Sequence, residues 1–337
     1  MTCSEKIKVS VITLAYNHEK YIHQCLEGVI SQNTNFKFEL LIHDDASTDK
    51  TADIIREYEA KYPDIIKPIY QIENQYSKGG DIGRRFIYPK AKGKYIAICE
   101  GDDYWIDPLK LQKQVDFLEN NPDYGLVYTN HLNYFQKNDS FEEHHCDEVH
   151  DIAYLLKGNK IPTLTTCFKR ELLQDYLDNF YPKMPKFPFG DYSLWLYLFS
   201  KAKFYLLPEV TSVYRVLENS ASHFTDYKKE FSFEQKVYEC RLFFIENLYP
   251  KETYLIEKVK YNYFYKMLKI CILYNNESLF IDKKLQDYYL EMKNKNNKFG
   301  IKYRLLKCNF SFFSRLFRSD IYVKNIKIKV KSFFNLK

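Results

Sequence analysis

Lys8-Val9-Ser10-Val11-Ile12-Thr13-Leu14 runs without a break into Ala15-Tyr16-Asn17. The run is short, apolar and β-branched, and a helical pattern follows it, so it reads as a buried parallel strand. Two later stretches repeat the arrangement. Phe38-Glu39-Leu40-Leu41-Ile42-His43 leads into Asp44-Asp45-Ala46-Ser47-Thr48-Asp49, and Tyr95-Ile96-Ala97-Ile98-Cys99 leads into Glu100-Gly101-Asp102-Asp103. Strands alternating with helices specify an α/β chain, a mostly parallel sheet flanked by helices. Ligands of open α/β sheets bind beyond the carboxyl ends of the strands. The aspartates after the second and third runs would then converge on one crevice. Clustered carboxylates repel one another unless a cation or hydrogen-bond donors offset them. A metal-bound phosphate ligand is the simplest reading.

The elements between these runs follow from periodicity and punctuation. Ile22, Cys25, Leu26, Val29 and Ile30 keep the spacing of a helix packed on a sheet, with Asn17 as its expected cap. A helix from about Thr51 to Lys61 ends before Pro63. Ile65 to Gln71 is a weaker strand, and Pro68 places it near an edge. Gly79-Gly80 and Gly83 mark a loop. Asp107-Pro108 opens a helix whose apolar face is Leu111, Val115 and Leu118. Tyr124 to Thr129 is a further strand. His131 to Asp151 is polar and reads as loop, its His144, His145 and His150 solvated. Gly190-Asp191 opens an aromatic helix to Ser200. Tyr205 to Leu207 and Val210 to Val216 read as two short strands flanking Pro208, and beyond Phe231 the pattern is helical and basic.

Composition narrows the class. No apolar run among the 337 residues approaches a membrane span, and the start lacks a secretory signal. The eight cysteines form no Cys-x-x-Cys pair. Reduced thiols and a cytoplasmic location are expected. The net charge of +6 conceals an asymmetry. Residues 231–337 hold 22 Lys and Arg against 10 Asp and Glu, whereas residues 1–230 hold 28 against 34. Two different partners are expected. Residues 301–337 carry ten basic residues and one acid, interleaved with Phe310, Phe312, Phe313, Phe317, Tyr322, Phe333 and Phe334. Phe313, Leu316 and Phe317 keep helical spacing. Such a segment suits peripheral contact with an anionic membrane surface, at the inner face of the plasma membrane. No nucleic-acid partner is expected, because nothing upstream reads bases or stacks a strand.

In their order and spacing, Val9 to Asn17, Asp44-Asp45-Ala46-Ser47-Thr48-Asp49-Lys50-Thr51, Gly93-Lys94-Tyr95-Ile96 with Glu100-Gly101-Asp102-Asp103-Tyr104-Trp105, and Asp107-Pro108-Leu109-Lys110-Leu111 resemble a family 2 glycosyltransferase of the bacterial surface-polysaccharide kind. The likeness is close over residues 7–130 and looser to His223. It implies the glycosyltransferase A fold and metal-dependent, inverting transfer from a nucleoside-diphosphate sugar, a UDP-linked one, to a saccharide or lipid-linked saccharide. It also implies a hard divalent cation, Mn2+ or Mg2+, to offset the leaving diphosphate. By the same likeness Asp103 is the expected metal ligand, Asp102 contacts ribose or a metal-bound water, and Asp45 contacts the base. Leu14, Ala15 and Tyr16 shape the base pocket. Arg84 or Arg85 pairs with a phosphate. Asp191 is the expected general base, which also suits a helix start. Tyr214-Arg215-Val216-Leu217 resembles the family's closing segment, with Arg215 on the diphosphate. Leu217 stands where many relatives have His, and His223 is the expected substitute metal ligand.

A catalytic domain over residues 1–228 is expected, with a nucleotide-sugar half (1–130) and an acceptor half (131–228), then a helical basic extension over 229–337. A dinucleotide-binding dehydrogenase is set aside because Ala15-Tyr16-Asn17-His18 has no glycine. A sugar-phosphate nucleotidyltransferase falls on the same absence. A degenerate scaffold subunit is the non-enzyme alternative, and retention of Asp45, Asp102, Asp103 and Asp191 argues against it.

Overall fold

The computed structural model describes residues 6–217, 226–293 and 297–319. Its opening run forms β1 (Val9–Ala15), followed by α1 (Ile22–Ile30), β2 (Phe38–Asp44), α2 (Thr51–Lys61), β3 (Ile66–Tyr70) and β4 (Tyr95–Ile98). These strands pair in parallel, with Val9 opposite both Phe38 and Tyr95. Most of their Val, Ile and Leu side chains are buried, while Leu14 and Ile69 are half-buried. Gly93 allows the closest approach at the amino-terminal end. A Cβ there would lie 2.3 Å from the Ser10 nitrogen. Buried Glu39 is satisfied at that end too, accepting from Ser10 Oγ at 2.7 Å and the Lys92 nitrogen at 2.9 Å.

The sheet continues as β5 (Tyr104–Trp105), then α3 (Lys110–Asn120), β6 (Tyr124–Phe135), β7 (Ser140–His144), α4 (Ile152–Leu155), β8 (Cys167–Lys169), α5 (Arg170–Asp175), α6 (Gly190–Lys201) and β9 (Lys203–Val216). Strand order is β3-β2-β1-β4-β8-β6-β9-β5, with β7 on β6. The sheet is parallel through β3, β2, β1 and β4, antiparallel at β8, and parallel again where β6 meets β9. β3 lies at the edge, as Pro68 requires.

Several expectations are corrected. Asn17 does not cap α1. It sits at a φ of 56° and accepts from the Thr48 nitrogen at 2.8 Å instead. α3 begins at Lys110, and Asp107 caps the preceding turn through the Leu109 nitrogen at 2.9 Å. The polar stretch after His131 is no loop at its start, since β6 runs on to Phe135 and turns back as β7. His131 is buried there. The two strands flanking Pro208 are one strand, with an irregularity that sets Thr129 opposite Leu207 and Asn130 opposite Val210.

The described residues form two compact units dividing after residue 223. The second unit is helical: α7 (Tyr227–Leu248), α8 (Thr253–Leu273), α9 (Glu277–Phe280), α10 (Lys283–Lys293), α11 (Asn297–Cys308), and a further helix over 310–319. Phe264, Met267, Ile270, Tyr303, Leu306 and Phe310 belong to its core. Phe317 is buried with them and Phe313 packs against them, so these two tail aromatics serve the core. Phe312 and Leu316 stay exposed. Among the described residues no helix is long and apolar enough to cross a membrane.

Candidate active site

The carboxyl ends of β1, β2 and β4 bring three turns together, tied by main-chain bonds. The Asp45 and Gly101 nitrogens each donate at 2.9 Å to β1, to the Ala15 and Leu14 carbonyls. Leu14 lines a cavity there, Ala15 is buried in the core, and the Tyr16 ring is exposed. Asp45 is buried. Its carboxylate accepts from the Gln75 nitrogen at 2.8 Å and the Tyr76 nitrogen at 3.0 Å. It fixes the loop after β3, which forms one side of the crevice. Asp44 accepts from the Ser47 nitrogen at 3.2 Å through one oxygen, while the other is buried without a partner.

The turn after β4 divides its carboxylates. Asp103, the expected metal ligand, is buried and accepts from the Arg215 nitrogen at 2.7 Å. Burial first, then the neighbouring Asp102 and Glu100, push its carboxyl well above the usual range. Through its bond to Arg215, Asp103 links the turn after β4 to β9. Asp102 is half-buried beside it. Arg215 is likewise engaged. Its Nε donates to the Asp102 carbonyl at 2.8 Å, its Nη1 to Gln136 at 2.9 Å and its Nη2 to Gln24 at 2.5 Å. The guanidinium also lies over Tyr21, Tyr104 and Tyr134. Arg215 so engaged holds the turn in place, with one further N–H on each of Nη1 and Nη2.

Glu100 opens the same turn. Its place just beyond β4, two residues before Asp102, is the signal the sequence offers. Burial raises the Glu100 carboxyl to about 7, and the charges of Asp102 and Asp191 add to the shift. One of its oxygens is buried with no partner. Glu100, Leu14 and Asp191 line one cavity of about 270 Å³. Asp191 stands in the first turn of α6 and accepts from Asn159 Nδ2 at 2.6 Å. Burial raises its carboxyl as well.

Arg84 lines the same cavity, but its Nε donates to Asp81 at 2.5 Å. Arg85 donates to Gln75 at 3.2 Å. His223 lies outside the described residues. His18, unsingled in the sequence, is packed against Gly101, where a Cβ would meet its Nδ1 at 2.7 Å. Burial lowers its pKa while Asp102 opposes the shift.

Among the described residues no three His, Cys, Asp or Glu side chains gather closely enough to cage a metal. The donors still suit a hard cation. Unpartnered carboxylate oxygens remain on Asp44 and on Glu100, the latter beside Asp102. Mg2+ and similar ions take one or two carboxylates and complete their shell with water and substrate phosphates.

The profile of glycosyl transferase family 2 matches residues 10–203. The chain spans about a third (32%) of the length of the first curated relatives it matches, uncharacterized proteins of Mycobacterium bovis and Mycobacterium tuberculosis, 45% identical over 115 residues or 34% of this chain. It is 33% identical over 195 residues, 57% of this chain and 70% of the relative, to the UDP-Glc:alpha-D-GlcNAc-diphosphoundecaprenol beta-1,3-glucosyltransferase WfaP of Escherichia coli. Among solved structures, TarS 1–349 of S. aureus in complex with UDP-GlcNAc matches with a TM-score of 0.57 at 18% identity, over 87% of this chain and 80% of that one. The mannosyltransferase PcManGT of Pyrobaculum calidifontis, in complex with GDP-Man and Mn2+, matches at 0.54 and 15% identity, over 94% and 88%. At such identities the structural likeness shows the fold, that of a glycosyltransferase A domain.

Proposed function

The chain belongs to glycosyl transferase family 2, and from that premise we propose that it moves a sugar from a nucleoside-diphosphate sugar to a saccharide or lipid-linked saccharide in surface-polysaccharide synthesis, with inversion. The observation that carries this reading is the cavity in which Asp191 and Glu100 meet beyond the strand ends. Asp191 accepts the proton of the attacking acceptor hydroxyl, whose oxygen bonds to the anomeric carbon as the diphosphate departs with the bonding pair. One base serves this direct displacement. A carboxyl raised by burial is a stronger base than an ordinary aspartate.

On the donor side, Leu14, Ala15 and Tyr16 shape the base pocket and Asp45 holds its far wall. Asp102 and Glu100 would hold Mn2+ or Mg2+, which offsets charge on the leaving diphosphate when bound. Asp103 and Arg215 brace that turn. A uridine donor is the choice supported by the names of WfaP and of the TarS complex, and a lipid-linked acceptor by that of WfaP. The acceptor would then be met at the cytoplasmic leaflet.

The test is a screen of UDP- and GDP-sugars for nucleotide release, with manganese and with chelator. Release with manganese and none with chelator is expected. Equal release in chelator defeats the metal assignment, and none from any donor defeats the transferase reading.

A further inference from the structure

Two cavities meet at one cluster of side chains. The inner holds Asp191 and Glu100. The outer, about 750 Å³, has Tyr76, Tyr181, Phe187 and Phe189 among its walls and Lys78, Arg85 and Lys186 among its cations. Asp81, Arg84 and Tyr181 line both. Tyr181 OH donates to Asp81 Oδ2 at 3.0 Å, and Arg84 Nε donates to the same oxygen. The Arg84 guanidinium lies 4.9 Å over the Tyr181 ring. The three residues thus tie the loop after β3 to the segment before α6.

The tie is built to open. The Asp81 and Arg84 side chains are 26% and 47% exposed, and an ion pair so placed is a weak latch. Gly79, Gly80 and Asp81 follow one another at positive φ, the last without a glycine's freedom. The loop is anchored just upstream, where Gln75 and Tyr76 donate to Asp45. A hinge therefore lies between a fixed point and the latch. The outer walls also offer what a charged sugar needs. Aromatic faces cover the apolar side of a pyranose, and a guanidinium fork fits an anionic oxygen pair.

We propose that Asp81, Arg84 and Tyr181 form a latch between an outer acceptor groove and the catalytic cavity, opened when a sugar bearing an anionic group takes the place of Asp81 on Arg84. The inference rests on the transferase reading. It moves Arg84 from the donor phosphate to the acceptor side.

The experiment measures two affinities by calorimetry on the full chain. UDP reports the donor side, and N-acetylglucosaminyl diphosphate carrying a short alkyl chain reports the acceptor side. Asp81→Asn frees Arg84 and is expected to tighten the acceptor probe about tenfold, while Arg84→Gln weakens it about tenfold. Tyr181→Phe, which keeps the ring and drops one bond to Asp81, is expected to tighten it about threefold. All three are expected to leave UDP affinity within about twofold. If Arg84→Gln weakens UDP instead, or Asp81→Asn fails to tighten the probe, the latch is overturned. A wild-type chain that binds UDP and neither this probe nor a methyl glucuronide overturns the latch alone. One that binds none of the three overturns the transferase reading as well. Preference for the diphosphate over the glucuronide assigns the anionic group to the lipid linkage, and the reverse assigns it to the sugar.

Discussion

A carboxylate that must take a proton from an alcohol is helped by any environment that makes its charge costly, and Asp191 meets that condition by burial. Asp191→Asn removes the base and keeps the shape, so the rate is expected to fall about two to four decades while UDP affinity holds. Unchanged turnover in this variant would place the base elsewhere. Glu100 carries the sharper pH signature. Its carboxyl is raised to about 7 in the fold from an ordinary value of 4.5. The native state therefore binds more protons than the unfolded chain between those values, and stability falls as pH rises through that window. Glu100→Gln abolishes the effect. It is expected to stabilise the ligand-free protein at about pH 8 by on the order of 1–3 kcal/mol, and by much less at about pH 5. Urea unfolding at both values checks the sign. A variant less stable at the higher pH would mean that the carboxyl is satisfied in the fold.

At the scale of elements, the site depends on how closely α1 lies on β5. A Cβ on Gly28 would stand 2.7 Å from the Trp105 carbonyl oxygen and 2.8 Å from its nitrogen. Backbone, not a pliable side chain, is what it would strike. Gly28→Ala gains up to about 1 kcal/mol of helix propensity, but the overpacking costs about 1–3 kcal/mol. A lower urea midpoint is expected, together with weaker turnover, since Trp105 lies two residues after Asp103. A midpoint at or above wild type would show that α1 can retreat freely. The same packing explains what could be read from the chain. β1, β2, β4 and α1 are covered by other elements, so their patterns were clean. β6 and β9 are different. Asn130 and His131 are buried yet polar, and Asn130 is satisfied by the Pro208 carbonyl at 2.7 Å and the Cys146 nitrogen at 2.8 Å. A hydropathy pattern sees polarity and reports a loop, because tertiary partners are invisible to it. The site behaved likewise. The acidic turns were legible as motifs, but which carboxylate faces the crevice depends on Arg215, more than a hundred residues away.

Across the whole molecule, charge is segregated by sequence. Residues 231–337 carry 22 basic residues against 10 acidic ones, and the last thirty-seven carry ten against one. If this basic segment meets an anionic leaflet, as proposed, the attraction would be about 1 kcal/mol per basic residue near the surface. The second unit refines which aromatics take part. Tyr303, Leu306, Phe310 and Phe317 are core, so removing everything from residue 301 would unfold the unit and prove nothing about membranes. The outward set is Phe312 and Leu316, 60% and 51% exposed, with Arg315 exposed between them. Lys324, Lys327, Lys329 and Lys331 follow in sequence, outside the described residues. Two milder variants therefore separate charge from insertion. Deleting residues 320–337 removes five cations and one acid. It is expected to weaken binding to phosphatidylserine liposomes by at least about tenfold at low salt and to flatten the salt dependence. Phe312→Ser with Leu316→Ser is expected to weaken binding at every salt concentration, because apolar insertion is not screened. Co-sedimentation across a salt series reads both. Full-length protein that ignores the liposomes at low salt would rule out the membrane contact, and a truncated form that binds as tightly would remove residues 320–337 from it.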